Sequence, residues 1–475
     1  MAPSTTTPAR AFATREARMM IGVGAFFVLT LTGGCKDSFV PNLNDPELPP
    51  AVTTLGQIQA QVSGLLAGDR EQFSFQILVL ETMGRDAYRI DVADPRYLDM
   101  PFGSFSPGAF LADFPYNVHY RTIRGARALY AGIDAGPFTA EQKSAVKGFA
   151  RTLEAMQYAA LVNTRGSQGL PIQTGGDGLD PIKCEPAVLT HIVTLLDEGA
   201  TLLAAGGAAF PFTLPSGFAT FTTPATFRTF NRGLAAKYYR YLGFVSYAAT
   251  GAKNTAALNS AAAAMAQSFE NFTDPATLTR GVYHVYSTAS GDLANGNFDR
   301  SVIRVNPKVV AEADAGDARV AAKTQVSTPL ANSDGSVTSN LIFLNPSSPT
   351  SPIPILRNAE LVLLDAEIQW GLGNYATALA RSNFVRVNEG GLLPKTEVQL
   401  GSFATPAGQL NLLREILRQK RYSLLFETDS RLVDYRLYGL FPELGPEKGS
   451  TNTPRVIPFP QSEIDARQNN LTCAP

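Results

Sequence analysis

Three histidines, His119, His191 and His284, are the first side chains to weigh for chemistry. No two of them stand at the spacing of an HExxH helix, which presents two imidazoles on one face to a zinc ion. There is no GxSxG nucleophile turn and no GxxxxGK[ST] phosphate loop. Aspartate and glutamate together number 41. Cutting a glycosidic bond takes two carboxylates about 5–10 Å apart across a sugar, and nothing in the spacing nominates such a pair. The residue types argue against an enzyme and against a bound cofactor. One segment does have the donor set of a cation site. Asp292, Asn295, Asn297 and Asp299 lie in SGDLANGNFDRS, with Gly291 and Gly296. Oxygen donors at near-alternate positions in a tight glycine loop suit calcium. The spacing is not that of an EF-hand, however, and Asx-Gly clusters also make plain turns.

The elements that must position these groups read as mainly α. The clearest is Ile353 to Val387. There Ala359, Leu363, Ala366 and Trp370 recur at spacings of four, three and four on one helix face. Gly371-Leu-Gly373 breaks that helix. Asn374 can cap a second one, striped by Tyr375, Ala378, Leu379 and Ser382. The unit looks like a tetratricopeptide-type hairpin of about 34 residues. Upstream, helices are expected at Gly56–Leu66, Glu71–Met83, Tyr116–Ile133, from Thr139 to about Asn163, Pro186–Ala205, Pro224–Ala249 and Asn254–Phe272. Thr139 with Gln142 forms a capping-box pattern. Residues 84–115 read as irregular. From Thr273 to Pro352 helical periodicity disappears, and short strands are expected at 282–286, 302–305 and 340–344. A structureless segment of that length is unusual unless it is functional. Further helices are expected at Gln409–Glu427 and Ser430–Tyr438.

With 45% hydrophobic and 17% charged residues, the 475-residue chain can bury a large core. Forty basic residues against 41 acidic ones leave no basic face for nucleic acid. The first 34 residues read as a signal peptide. Arg10, Arg15 and Arg18 precede an apolar run, Ile21 to Leu31, which is shorter than the roughly 20 residues a bilayer span takes. LTGGC at 31–35 resembles a lipobox with Thr32 where leucine is usual. This makes Cys35 the candidate lipidation site, the alternative being an ordinary secretory signal. Two or more acyl chains on Cys35 would anchor the protein stably. Residues 35–54 read as a proline-rich tether. Cys184 and Cys473 remain. In an oxidising compartment they either pair or stay as two thiols, and their separation excludes a CxxC redox or zinc motif.

Three motifs in order resemble the SusD/RagB family of lipid-anchored, outer-membrane nutrient-binding proteins. The first is RNAELVLLDAE followed by a GN turn and an AL-containing helix. The second is EILRQKRYSLLFETDSRLVDYRLYG, Glu415 to Gly439. The third is RVIPFPQSEIDARQNNL, Arg455 to Leu471. A weaker match, GFARTLEAMQYAALVNTRGSQGLPI, starts at Gly148. The family's FEGHRW glutamate falls at Glu427. Arg431 and Asp434 also keep their places, while the tryptophan becomes Leu432. Glu427, Arg431 and Asp434 are expected to form a buried structural network, because buried charges need partners of both signs.

The resemblance implies one SusD-like domain over 55–475. Its helical repeats would cover about 116–272 and 353–389, a loop-rich ligand-side region 273–352, and the C-terminal motifs 409–475. It also implies a surface lipoprotein at the outer membrane, facing outside. Such a protein would bind an oligosaccharide or oligopeptide and pass it to a SusC-like TonB-dependent barrel. Sugar rings stack on aromatic faces, and hydroxyls pair with planar polar groups. The candidates for this are Arg85, Asp86, Tyr88, Arg89 and Tyr97 in the first loop, and Tyr283, Tyr286, Asn295 and Asn297 in the middle region. The only tryptophan, Trp370, sits on a core stripe, which weakens a starch-like ligand. The alternative is a helical-repeat scaffold of the cell envelope that binds no nutrient.

Overall fold

The computed structural model describes residues 51–172, 179–428, 430–449 and 454–475. The segment expected to be a signal peptide, the candidate lipidation site Cys35 and most of the expected tether lie outside the described residues. Where the description begins, the chain is already packed. Val52 is fully buried and its N–H donates to the Gly132 carbonyl, and Thr54 closes a capping box with Gln57.

The chain is mainly helical. In order it forms α1 (Leu55–Glu71), α2 (Phe73–Met83), β1 (Ala87–Arg89), α3 (Arg96–Phe102), α4 (Phe110–Gly132) and α5 (Ala140–Arg165). Then come β2 (Leu170–Pro171), β3 (Ile182–Lys183), α6 (Glu185–Ala204), α7 (Pro224–Phe244), α8 (Tyr247–Thr250) and α9 (Thr255–Met265). The middle region holds β4 (Gly281–His284), β5 (Ile303–Val305), α10 (Pro307–Ala311), α11 (Ala318–Lys323), β6 (Thr324–Ala331) and β7 (Thr338–Phe343). The chain closes with β8 (Ile353–Arg357), α12 (Asn358–Gly371), α13 (Tyr375–Asn388), α14 (Glu397–Leu400), α15 (Pro406–Ser423), α16 (Ser430–Leu437) and α17 (Gln461–Ala466).

Each long helix packs on the next, in the sequence α4, α5, α6, α7, α9 and α12, with α13 and α15 against α12. Local signals start these helices where expected. Thr139 accepts from the Gln142 N–H as a capping box, and Thr223 does the same with Thr226. Small residues set the spacing. A Cβ on Gly148 of α5 would come within 3.0 Å of the Gly199 carbonyl and 2.9 Å of the Leu203 nitrogen on α6. Only glycine lets these backbones approach so closely. The α12 stripe of Ala359, Leu363, Ala366 and Trp370 is buried, as are its flanking residues, so this helix is covered on all sides. Trp370 donates its indole N–H to the Gln409 carbonyl at 2.7 Å. Asn374 stands at the N-cap of α13, but its amide donates back to Gln369 at 2.9 Å instead of capping.

Among the described residues there are four two-stranded antiparallel sheets: β1–β5 and β4–β8 join segments far apart in the chain, while β2–β3 and β6–β7 pair consecutive strands. Three segments differ from the sequence expectation. Residues 84–115 hold β1, α3 and the first turns of α4. Pro101 and Pro115 read as helix breakers, yet each sits inside a helix near its end or its beginning. Residues 353–357 pair with β4 as a strand, and the helix begins only at Asn358. The helix expected over Pro224–Ala249 stops at Phe244, and the one over Asn254–Phe272 runs only from Thr255 to Met265.

Cys184 and Cys473 form a disulfide across 289 residues of sequence. Beside it Cys184 N–H donates to the Ala474 carbonyl, and Ala474 N–H to the Ile182 carbonyl, so the C-terminal tail lies along β3.

Glu427, Arg431 and Asp434 are all buried, but each belongs to a different ion-pair set. Glu427 accepts from Arg357 at 2.8 Å and from Lys323 at 2.7 Å. Arg431 pairs with Asp86, which Arg421 also reaches at 2.7 Å. Asp434 joins Glu367, Arg240 and Lys420 in a charge-balanced quartet, with contacts of 2.8–3.2 Å. Burial pushes the Glu427 carboxyl up, but the two cations beside it hold it below its ordinary range. One buried network was expected; there are three, because the turn after α15 and helix α16 present successive charges to different neighbours.

Candidate functional site

Strand β4 is the centre of the candidate site. Its side chains alternate: Val282 and His284 point inward, while Tyr283 is only half-buried. A register shift between Val282 and Tyr283 re-aims the tyrosine relative to β8. Tyr283 borders two adjoining hollows of about 310 and 350 Å³. One wall is α1, through Gln59, Ser63 and Arg70. The other is the loop that carries Thr213, Pro215, Ser216 and Gly217. Gln59 fixes that loop to α1: its amide donates to the Thr213 carbonyl at 3.2 Å and accepts from the Thr213 N–H at 2.8 Å. Gly217 lies so close to β4 that a Cβ there would overlap the Tyr283 carbonyl oxygen, at 1.9 Å. The floor of the groove is therefore backbone against backbone. The Tyr283 hydroxyl donates to the Thr279 carbonyl, and no described ring or cation stacks on its face. The ring face is open to a ligand.

Behind β4 lies a small cavity of about 60 Å³, with room for a few waters. His284 borders both this cavity and the groove. Its ring meets Phe73 at 4.4 Å, and its Nε2 lies 3.5 Å from the Asp69 carboxylate. Asp69 accepts from Gln157, whose carbonyl faces His119 Nδ1 at 2.8 Å; His119 Nε2 faces Gln76 at 3.0 Å. Burial pushes the Asp69 carboxyl up to about 7, and lowers His119 to about 4 and His284 to about 3. Among the described residues, Asp69 Oδ2 and His284 Nε2 have no hydrogen-bond partner.

The other residues singled out from the sequence are placed as follows. Arg85 is fully buried, with its guanidinium 4.6 Å from the Phe102 ring centre. Asp86 is held by Arg421 and Arg431, and Tyr88 donates to Glu447. Arg89 lies over the Tyr97 ring at 3.6 Å, so the face a sugar would use there is already covered. Tyr286 is buried, with Arg70 on its ring at 5.8 Å. Asn295 donates to the Ser351 carbonyl at 2.9 Å and accepts from the Asn297 N–H at 3.0 Å; both asparagines are buried. Asp292 pairs with Arg70, and Asp299 accepts from the Ser301 N–H at 3.1 Å. The SGDLANGNFDRS segment thus folds as Asx turns. Among the described residues no group of three or more His, Cys, Asp or Glu side chains is placed to hold a metal. His191 stands edge-on to Tyr158 at 5.1 Å.

The structure brings Tyr283 to the groove, and Asp292 beside it through Arg70. It adds Gln59, Arg280 and the 213–220 loop, which sequence reading did not nominate. Pro215-Ser-Gly217 is a turn signal, but a turn carries no information about which strand it will touch.

No family model matches the sequence. No curated protein matches it either. Solved structures do. The chain superposes on B. fragilis NanU with a TM-score of 0.63 over 90% of this chain and 98% of that one, at 16% identity. A SusD homolog from Bacteroides thetaiotaomicron gives 0.64 over 88% and 96%, at 14% identity. A SusD-like carbohydrate binding protein from Bacteroides fragilis gives 0.62 over 87% and 98%, at 15% identity. At these identities the likeness is one of fold, and the fold is SusD-like.

Proposed function

We propose that this chain, with its SusD-like fold, is a surface lipoprotein that binds an oligomeric nutrient, a glycan or a peptide, in the groove around Tyr283. It delivers that ligand to a SusC-like TonB-dependent barrel in the outer membrane, to which Cys35 ties it through lipid. The observation that carries this reading is the groove itself. It has an open aromatic face, hydroxyl and amide groups along both walls, and a volume in the range of small-ligand sites, about 300–1,000 Å³. The reading also draws on the solved neighbours, one of which is described as carbohydrate binding. Its mechanism is capture and release. The helical stack is a rigid body of packed repeats, and the ligand meets loop and strand residues mounted on it.

Calorimetric titration of the mature chain, truncated after Cys35, against a panel of oligosaccharides and oligopeptides tests this. Saturable heat with one class, lost in Tyr283→Ala at unchanged melting temperature, is the expected result. No heat with any member overturns nutrient binding at this groove and favours the envelope-scaffold reading.

A further inference from the structure

We infer that the ligand of this groove carries carboxylate groups, and that Arg280 is the cation that reads them. The inference rests on the groove being the binding site. The whole chain is nearly neutral, with 40 basic and 41 acidic residues. Yet among the described residues no aspartate or glutamate borders either hollow, and each hollow has an arginine: Arg70 in one, Arg280 in the other.

The two arginines differ in what surrounds them. The Arg70 guanidinium is neutralised by Asp292 and donates to the Val285 carbonyl, so its charge is already answered within the protein. The Arg280 guanidinium lies 5.6 Å from the Phe221 ring centre and 5.8 Å from that of Phe269, and makes no ion pair among the described residues. Two ring faces hold the cation in place without cancelling its charge. Its backbone is equally fixed: the N–H donates to the Thr277 carbonyl at 2.9 Å, and the carbonyl accepts from Asn358 at 2.8 Å. Acids near it in sequence are engaged elsewhere. Asp274 accepts from the Ala276 N–H at 3.0 Å, and Glu270 faces Arg381.

A guanidinium presents a planar fork of donors that matches a carboxylate in two parallel hydrogen bonds. Thr279, Ser216 and Thr220 border the same hollow and offer hydroxyls to the rest of the ligand. Tyr283, shared by both hollows, offers a ring face next to them. A ligand with ring or backbone planes for Tyr283 and a carboxylate for Arg280 fits this arrangement. A hexuronic-acid oligosaccharide and an acidic peptide both supply that chemistry.

The test uses the mature chain and four probes: an oligomer of a hexuronic acid, its carboxyl-reduced neutral counterpart of equal length, an oligoglutamate, and a neutral peptide of equal length. Calorimetry at low and at high NaCl reads the affinities. The expected result is that one acidic probe binds at least tenfold tighter than its neutral counterpart at low salt. The gap should narrow as salt rises, and the acidic probe that wins identifies the source. Arg280→Gln should abolish the gap while leaving the neutral counterpart's affinity and the melting temperature unchanged, and Arg280→Lys should keep part of it. Equal affinity for acidic and neutral partners, or a preference that survives in Arg280→Gln, overturns the carboxylate reading and leaves the groove standing. Failure of every probe to bind overturns both.

Discussion

At the scale of single residues, the most consequential placement is Asp69. It lies at the end of a polar chain through Gln157, His119 and Gln76, and its other carboxylate oxygen has no hydrogen-bond partner among the described residues. Burial raises its pKa from 3.8 to about 7. A raised carboxyl holds its proton in the folded state over a range where the unfolded chain has lost it. Asp69 therefore removes stability progressively as pH rises from about 4 to about 7, and its full penalty stands above that. A shift of that size corresponds to about 4 kcal/mol as an upper figure. His119 and His284 act in the opposite direction: burial keeps them neutral, so they remove stability as pH falls below their ordinary range. Asp69→Asn retains an acceptor for Gln157 and cannot ionise. Urea unfolding should find the variant more stable than the parent at pH 8, by a margin that shrinks toward pH 4.5. A margin independent of pH would mean that Asp69 does not titrate in this range. The same scale explains why an abundance of loop aromatics leaves so few free ring faces. The candidate faces at Tyr97 and Tyr286 have arginine partners already.

At the scale of elements, α7, α12, α15 and α16 are joined by the quartet of Arg240, Glu367, Lys420 and Asp434, with the Tyr438 hydroxyl donating to Glu367 at 2.6 Å. All four charged groups are buried. Taking one charge away leaves the others unbalanced in a dry interior, at a cost of about 3–5 kcal/mol. Glu367→Gln should lower the denaturation midpoint accordingly, whereas the exposed Glu443→Gln, whose pair with Arg414 is solvated, should change it by less than about 1 kcal/mol. Equal effects would place the quartet among ordinary surface pairs. The Cys184–Cys473 bond acts on another element, the C-terminal tail. Replacing both cysteines by serine should remove about 2–5 kcal/mol. It should also make the residues after Leu471 the first site of proteolytic trimming, as read by intact mass. Stability unchanged by the double replacement would mean that the strand contacts to β3 alone hold the tail.

At the scale of the whole folded unit, the groove exists because three segments far apart in the chain meet: α1, the loop around Pro215, and β4. Shortening the loop 287–293, which follows β4 without pairing to β8, tests how the parts divide their work. Such a variant should lose affinity for the proposed ligand while keeping its melting temperature and, in pull-down, its association with the barrel proposed as its partner. Loss of affinity and association together would mean that one surface serves both. A deletion extending back to Val282 would not test this, because Val282 and Tyr283 pair with β8 and their removal breaks the sheet.

Local physics made much of the fold legible in the sequence. Helix periodicity, the Thr139–Gln142 box and the Gly371-Leu-Gly373 break act within a few residues, so the hairpins from α4 to α7 and from α12 to α13 could be read in order. The three C-terminal motif residues could be read as buried, through the resemblance of their motif to the SusD/RagB pattern and because buried charges need partners of both signs. Their partners could not. Arg357 is 70 residues from Glu427, and Asp86 is 345 residues from Arg431; no local pattern encodes a pairing over that distance. The short strands were legible as apolar runs where their own composition sufficed, and illegible at 353–357, where pairing with β4 overrides a sequence that continues into a helix. The groove was the least legible part. Tyr283 could be nominated as an aromatic in a loop-rich region, but whether its ring was open or covered depended on which arginine the tertiary structure brought to it. Sequence alone determined which residues were available for chemistry and which helices would carry them. Tertiary packing decided which side chains were neutralised inside and which were left facing the groove, because burial and ion pairing are properties of neighbours in space.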